Sequence, residues 1–304
     1  MNAIMERPGV AIIGAGALGH ALARRLAARG YRVEAVLSRT ATRARALAAQ
    51  VKAPVASAAL VDLPAGVSLV FCCVPDDAVG AVARALQRVR SDWSGTTVAH
   101  TSGALTAAAL YPLGEQGAAL LSFHPLQTFT PASRPDIFEG IYIVLEGDAE
   151  AVALGVRVAG DLGALSFTLA PEAKMRYHLA ASMASNFFVT LMALVGEVLA
   201  DAGIDRRQGA ALMQPLVEGT WRNLARRLPE EALTGPIARG DCRTVAAHLD
   251  ALADHLPHLI PVYAALGAEA VRVAVRSGQL APDEAQRMLD TLHTALEPYR
   301  DFPY

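Results

Sequence analysis

A short apolar stretch near the start of the chain is followed at once by three spaced glycines. Residues 10–13 predict a strand, and the Ala- and Leu-rich residues 17–29 predict the helix after it. The first glycine allows the tight turn, the second lets the backbone approach a pyrophosphate, and the third lets helix and strand pack closely. Free N–H groups at the helix start bind phosphates. The pattern therefore predicts a dinucleotide-binding turn formed by Gly14, Ala15, Gly16, Ala17, Leu18 and Gly19.

The end of the second predicted strand indicates which dinucleotide binds. Residues 32–37 are followed by Ser38, Arg39 and Thr40, whereas an NAD-binding chain usually has an acidic residue here for the ribose hydroxyl. A guanidinium binds a 2′-phosphate, which a carboxylate would repel. We therefore predict NADP as the cofactor, with Val74 and Pro75 also in its site. The alternative is that Arg39 is an ordinary solvated arginine.

Composition limits the class of protein. The 304 residues suffice for two domains, and 53% hydrophobic residues support a buried core. A net charge of −2 argues against a nucleic-acid partner. Three cysteines, two of them adjacent, predict a reduced cytoplasmic protein. The most apolar stretch, 187–200, is too short and too polar to cross a bilayer, so we expect a buried helix and no membrane partner.

The order of the predicted elements changes near residue 169. Before it, strands and helices alternate, which predicts a doubly wound, mostly parallel α/β sheet of the Rossmann type. After it, only helices are expected, so we predict a Rossmann domain over 1–169 and an all-α domain over 170–304 that meet at a cleft. The predicted strands are 10–13, 32–37, 68–74, 96–100, 118–123, 141–145 and 166–169. The predicted helices are 17–29, 40–50, 77–89, 104–111, 149–160, 171–201, 205–227, 241–256, 258–276 and 282–296.

Polar residues follow several predicted strands, where ligands of open α/β sheets gather. Ser102 and Gly103 could bind a substrate carboxylate, or Ser102 could be an ordinary N-cap. His124 precedes a proline, and Gln127 comes three residues later. A histidine there can transfer a proton, although a purely structural role is equally compatible with the sequence. Asp76 and Asp77 are expected to cap the helix that they begin.

The long helix after residue 170 carries polar residues at steps of four, namely Lys174, His178, Ser182 and Asn186. Neighbouring members share a helix face because each step turns by only about 40°. A polar stripe on an apolar helix requires hydrogen bonds or a cavity. We therefore place these four in the catalytic site, while a solvated face is the alternative for Lys174. Further along, Thr234 could face the substrate, and Asp241 is expected to cap the helix after it.

These motifs together resemble the Rossmann-like proteins with a DUF2520 C-terminal domain. The resemblance runs through GAGALG, HTSGAL, SFHPLQTF, FEGIYIVLEGD, YHLAASMASN and LTGPIARGD. The architecture also resembles the 6-phosphogluconate dehydrogenase-like superfamily, which includes ketopantoate reductase and pyrroline-5-carboxylate reductase. That resemblance implies a helical domain that mediates a homodimer. By analogy with ketopantoate reductases, Asn186 and Ser182 match two asparagines, His178 replaces their lysine, and Thr234 and Asp241 match substrate-binding positions.

The leading hypothesis is therefore an NADP-dependent reductase of a small carbonyl acid such as ketopantoate. His178 or Lys174 would protonate the developing alkoxide, and His124 is the reserve acid. Asn186, Ser182 and Ser102 would orient the substrate, and no metal is expected. The alternatives are an imine reductase related to pyrroline-5-carboxylate reductase and a non-catalytic NADP-binding sensor.

Overall fold

The computed structural model describes residues 7–299. The chain divides into two compact units, one up to Asn186 and one from Phe187 onward. The predicted boundary at 169/170 lies at the end of the last strand, and the first unit continues beyond it into the long helix. Each unit is described by itself below.

The first unit contains one eight-stranded sheet in the order β3-β2-β1-β4-β5-β6-β7-β8. Neighbouring strands are parallel except for the antiparallel pair β6 and β7. The predicted α/β Rossmann-type sheet is therefore confirmed. The strands are β1 Val10–Ile13, β2 Val33–Leu37, β3 Val55–Ser57, β4 Leu69–Cys72, β5 Thr97–His100, β6 Ala119–Pro125, β7 Tyr142–Gly147 and β8 Leu165–Thr168.

Helices cover both faces of this sheet because its strands are apolar on both sides. One buried cluster includes Leu22 of α1 and Phe123 of β6, and the other includes Trp93 and Val79 of α3. The helices of the first unit are α1 Ala17–Ala28, α2 Ala41–Val51, α3 Asp76–Gln87, α4 Tyr111–Gly114, α5 Ala149–Asp161 and α6 Lys174–Ser182. Short 3-10 turns occupy Leu60–Asp62, Ala107–Leu110, Pro135–Phe138 and Pro171–Ala173.

The second unit is helical throughout the described residues, as predicted. Its small core packs Val245, Ile260, Met288 and neighbouring apolar residues together. The helices are α7 Phe188–Asp201, α8 Arg206–Leu224, α9 Pro229–Ala232, α10 Cys242–His255, α11 Ile260–Arg276 and α12 Pro282–Leu296. Two 3-10 turns, Pro257–Leu259 and Glu297–Tyr299, complete this unit.

Several local features differ from the prediction. The short edge strand β3 was not expected, because three half-buried residues give too little pattern to identify a strand. The predicted helix 104–111 is a 3-10 turn followed by the four-residue helix α4. The predicted helix 171–201 is present but contains a π-helical turn at Met183–Phe187.

The prediction that residues 187–200 form a buried helix is wrong in its burial. The helix α7 is present, but none of its residues is buried, and Phe187 and Val189 are largely exposed. An apolar composition indicates that the helix surface is removed from water. It does not indicate whether residues of the same chain or of another molecule cover that surface. Among the residues described, Pro171–Asp201 and Pro257–Arg276 are long and apolar enough to cross a membrane. This is weak evidence, because core helices of soluble proteins pass the same test.

Candidate functional site

The glycine turn after β1 has the geometry that its sequence predicts. Gly14 has a φ of +107°, and a Cβ there would lie 2.1 Å from the Cys73 carbonyl oxygen. A Cβ on Gly19 would lie 2.0 Å from the Gly14 carbonyl oxygen, whereas one on Gly16 would meet nothing within 4 Å. The two outer glycines therefore allow close backbone packing, and the middle one leaves open space at the start of α1. A pyrophosphate could approach the backbone there.

The residues chosen for the rest of the cofactor site lie around this turn. Arg39 and Thr40 are exposed after β2, and Arg39 makes no ion pair within residues 7–299. Val74 lies against the turn, since its Cγ1 would be 3.2 Å from a Cβ on Gly14. Pro75 is the N-cap of α3. The capping predicted for Asp76 and Asp77 is wrong: both lie in the first turn, where their charge favours the helix dipole, and no side-chain cap bond forms.

A row of buried polar residues crosses the sheet beyond the turn. His100 of β5 pairs in register with Ser122 of β6, which pairs with Glu146 of β7. All three are buried. Residues in register on neighbouring strands point to the same face, so the row forms one polar layer under the following helix. Such a layer in an apolar sheet must be hydrogen-bonded to be stable.

Lys174, the first residue of α6, lies over this row. Its side chain is only 1% exposed, and its Nζ donates to Ser122 Oγ at 2.5 Å. Burial lowers the pKa of Lys174 to about 8, and the charge of Glu146 opposes that shift. Glu146 also accepts from the Ala107 amide at 2.8 Å. The solvated-face alternative for Lys174 is therefore wrong, because its ammonium group lies inside the protein.

The same helix face brings two further side chains to the end of β6. Tyr177 and His178 follow Lys174 by three and four residues, and His124 follows Ser122 by two on the strand. Four residues of helix span about 6 Å and two residues of strand about 6.7 Å, so Lys174 and His178 on the helix align with Ser122 and His124 on the strand. The Tyr177 hydroxyl lies 2.8 Å from His124 Nδ1. The His124 and His178 rings are 6.2 Å apart, nearly perpendicular.

The two imidazoles converge beside Gly103. A Cβ on Gly103 would lie 2.6 Å from His178 Nδ1 and 2.8 Å from His124 Nε2, so a side chain there would have to displace the two rings. His178 Nδ1 is buried and has no hydrogen-bond partner within the described chain. Burial, followed by the charge of Lys174, lowers the pKa of His124 to about 4, so this ring is neutral at pH 7. The arrangement offers two imidazole nitrogens to one small polar group.

The loop after β5 is fixed from behind by its own hydrogen bonds. Ser102 Oγ accepts from the Ala104 and Leu105 amides within the loop, so the N-cap alternative is wrong: the 3-10 turn Ala107–Leu110 has Thr106 as its N-cap. His100 accepts from the Ser102 amide at Nδ1, and its Nε2 lies 3.0 Å from the Thr106 carbonyl oxygen. Burial lowers the pKa of His100 to about 4, so it is a neutral structural group. The loop therefore places Gly103 rigidly against the two imidazoles.

Two predicted residues of the first unit, Gln127 and Asn186, are exposed rather than buried in this cluster. Gln127 is exposed and accepts from the Thr128 amide. Ser182 is half-buried at the end of α6. Asn186 is exposed, and it lies in the π turn Met183–Phe187, which interrupts the 3.6-residue repeat that would place it on the same face as Ser182. Thr234 is exposed in the second unit, and Asp241 accepts from Thr244 there, which confirms its capping role.

Sequence reasoning missed four members of the buried network, His100, Ser122, Glu146 and Tyr177. A usable signal was present. Alternate residues of a strand, Ser122 and His124, match Lys174 and the residues three and four positions after it on α6. Within the described residues no cluster of three His, Cys, Asp or Glu could hold a metal ion.

Two family models match the chain. A Rossmann-like domain covers residues 3–125, and a domain of unknown function, DUF2520, covers residues 141–270. Together they include the glycine turn, His124 in the first match, and Lys174 to His178 in the second. No match was found among curated proteins.

Several solved structures are similar over most of the chain. A protein from Bacteroides fragilis described as a candidate NADP oxidoreductase is 27% identical, with a TM-score of 0.72, over 87% of this chain and 98% of its own. A protein from Thermotoga maritima is 26% identical, with a TM-score of 0.68, over 88% and 98%. A reductive aminase from Aspergillus terreus in complex with NADPH shares the fold at 18% identity and a TM-score of 0.62, over 97% and 95%.

Proposed function

This chain belongs to the Rossmann-like proteins that carry a DUF2520 domain, and we propose that it is an NADPH-dependent reductase of a small carbonyl compound. One observation carries the proposal. The glycine turn and the pair of imidazoles lie at the carboxyl ends of parallel strands β1 and β6, along one edge of one sheet. Three strand spacings, roughly 14 Å, separate these two strands, which is within the reach of an extended dinucleotide.

The residues around the turn fit NADP. Gly16 leaves the space that a pyrophosphate needs, and the start of α1 supplies free N–H groups. Arg39, with Ser38 and Thr40, would hold the 2′-phosphate. The similarity to a candidate NADP oxidoreductase supports the same cofactor. When bound, NADPH supplies the hydride that the reduction requires.

The chain's own residues would bind and protonate the reacting oxygen. His178 Nδ1, which lacks a partner within the described chain, and His124 Nε2 both point beside Gly103. A carbonyl oxygen held between them would accept hydrogen bonds that strengthen as negative charge develops. His178 is therefore the proposed proton donor, the neutral His124 is a hydrogen-bond donor to the developing alkoxide, and Ser102 holds the loop that carries Gly103.

Lys174 takes a different role in this proposal from the direct acid of the sequence hypothesis. Its ammonium group is buried in the polar row and uses one of its three N–H donors on Ser122. We propose that Lys174 fixes Ser122 and the helix that carries His178. Roles for Gln127, Ser182, Asn186, Thr234 and Asp241 in substrate binding stay secondary proposals.

The test is loss of NADPH absorbance with ketopantoate, other 2-oxo acids, neutral ketones and cyclic imines. We expect turnover of a carbonyl compound, a loss of about 100-fold in kcat for His178→Ala, and little change in NADPH affinity. His293→Ala is a matched control, because His293 is exposed in the last turn of α12. Turnover of cyclic imines alone would favour the imine-reductase alternative. NADPH binding without any turnover would favour the sensor.

We also propose a homodimer through the helical unit. No residue of α7 is buried, and in α8 only Gly209 is, while both helices expose large apolar side chains. An apolar groove of about 410 Å³ adjoins α7, lined among others by Leu194, Val198 and Leu266. Apolar surface on this scale is typical of a subunit interface, and a second copy of the chain is the occupant that we propose.

Light scattering tests the dimer. Trp221→Glu and Val189→Glu are expected to give monomers, because each places a charge on the apolar surface. Val61→Glu, at an equally exposed apolar position of the first unit, is the control and should leave the mass unchanged. A monomeric parent chain, or one recovered in the membrane fraction, would contradict the proposal. The three cysteines are free, which supports the proposed cytoplasmic location.

A further inference from the structure

Tyr177 makes the one directional contact that the proposed chemistry does not yet use. Its hydroxyl lies 2.8 Å from His124 Nδ1, and the two rings meet edge to face with centroids 5.7 Å apart. Within the described residues the hydroxyl has no other hydrogen-bond partner. This contact lies on the opposite side of the His124 ring from Nε2, which points beside Gly103.

The contact has a consequence for the proton on His124. A neutral imidazole carries its proton on one nitrogen and accepts a hydrogen bond at the other. Burial keeps His124 neutral, and burial also raises the pKa of Tyr177 to about 12, so the tyrosine keeps its proton. The Tyr177 hydroxyl needs an acceptor, and His124 Nδ1 is in reach.

We infer that Tyr177 is a positioning residue: its hydroxyl donates to His124 Nδ1 and thereby fixes the His124 proton on Nε2, beside Gly103. The proposal rests on the proposed function and adds a substrate class to it. An Nε2–H donor binds an atom with a free lone pair, such as a carbonyl oxygen. It cannot bind the N–H of a protonated iminium. The buried Lys174 cation behind the site disfavours a cationic substrate as well.

The first measurement is the tautomer of His124, read from nitrogen NMR of the full-length chain labelled only in histidine. The chain has eight histidines, and His124→Gln identifies the signal. We expect a proton on Nε2 and none on Nδ1 in the parent chain. In Tyr177→Phe, which keeps the ring and removes the hydroxyl, we expect a mixture of tautomers.

Tyr263→Phe is a matched control. Tyr263 makes the same contact with His248 Nδ1, at 2.9 Å and with perpendicular rings, in the second unit. It should alter the His248 signal and leave His124 unchanged. Thermal unfolding of both variants checks that neither has lost its fold.

The kinetic arm uses the carbonyl compound that the panel identifies. Tyr177→Phe should lower kcat about tenfold, the worth of one neutral hydrogen bond, with an unchanged KM for NADPH. The inference would be overturned by a proton on His124 Nδ1 in the parent chain. It would also be overturned if the His124 signal were the same in Tyr177→Phe as in the parent chain. The predicted tautomer together with a silent panel would support the positioning role and count against the reductase.

Discussion

Replacing Lys174 by methionine tests whether the burial of this ammonium group makes the free energy of unfolding rise with pH above neutrality. Lys174 is 1% exposed, and methionine has a similar length without the charge. Burial lowers the Lys174 pKa from its ordinary 10.5 to about 8. The unfolded chain therefore binds this proton more tightly than the folded chain does.

The sign and size of the pH effect follow from linkage. Where the unfolded state binds more protons, the free energy of unfolding rises with pH, here mainly between the two pKa values. With these two values, the parent chain should gain about 2 kcal/mol between pH 7 and pH 9.5 from Lys174 alone. Lys174→Met lacks this group, so its stability should not show that gain.

The assay is urea unfolding of both proteins at several pH values in that window, followed by circular dichroism. The quantity compared is the difference in free energy of unfolding between parent and variant, since the other titrating groups cancel. Lys52, the only other lysine, is exposed, so Lys52→Met should follow the parent curve. Loss of the Ser122 hydrogen bond and of the favourable charge interaction with Glu146 makes Lys174→Met less stable overall at pH 7.

Parallel curves for parent and Lys174→Met would refute the argument. They would mean that Lys174 titrates at its ordinary pKa, and so that water reaches it. A variant with a larger pH gain than the parent would contradict the sign itself. Carbon NMR of the labelled lysines gives the pKa directly, because only two signals arise.

Three further predictions concern the site. Gly16→Val should weaken NADPH binding by about tenfold or more, measured by calorimetry, with little loss of stability. Gly14→Ala and Gly19→Ala should instead lower the free energy of unfolding by about 1–3 kcal/mol or more, measured by urea unfolding. Arg39→Ala should weaken NADPH binding by about 10-fold or more and leave NADH binding nearly unchanged, and equal losses for both would contradict the 2′-phosphate role. Gly103→Ala should abolish most turnover because its Cβ meets both imidazole nitrogens, and unchanged kcat would remove this point from the site.

The fold was predictable from sequence because its signals are local. The glycine turn, the apolar strands and the capped helices each depend on fewer than about fifteen neighbouring residues, which is the range over which periodicity is informative. The burial of α7 was not predictable in this way. Its apolar residues indicate a surface that is removed from water, but whether the same chain or another one covers it is a property of the assembly.

Residues of the candidate site were predicted from the sequence only where they belong to one short motif. Ser102, Gly103 and His124 were identified because each follows a strand, where ligands gather in open sheets. Lys174 was also identified, but the sequence did not show that it is buried rather than solvated. Its partners lie on two strands that are far away in sequence. Ser122 is 52 residues away, and Glu146 lies opposite Ser122 only because β7 runs antiparallel to β6. A prediction of a parallel sheet does not contain that register.

The position of the buried network explains why His124 and not His100 is the reactive candidate. Both rings are neutral because burial lowers their pKa values to about 4. His100 uses both nitrogens on its own loop, at the Ser102 amide and the Thr106 carbonyl oxygen. His124 uses only Nδ1, and its Nε2 points beside Gly103 next to the unpaired His178 Nδ1. Identical residues at the ends of neighbouring strands thus differ in their free hydrogen-bonding capacity, because one has its hydrogen bonds completed by the loop that follows it.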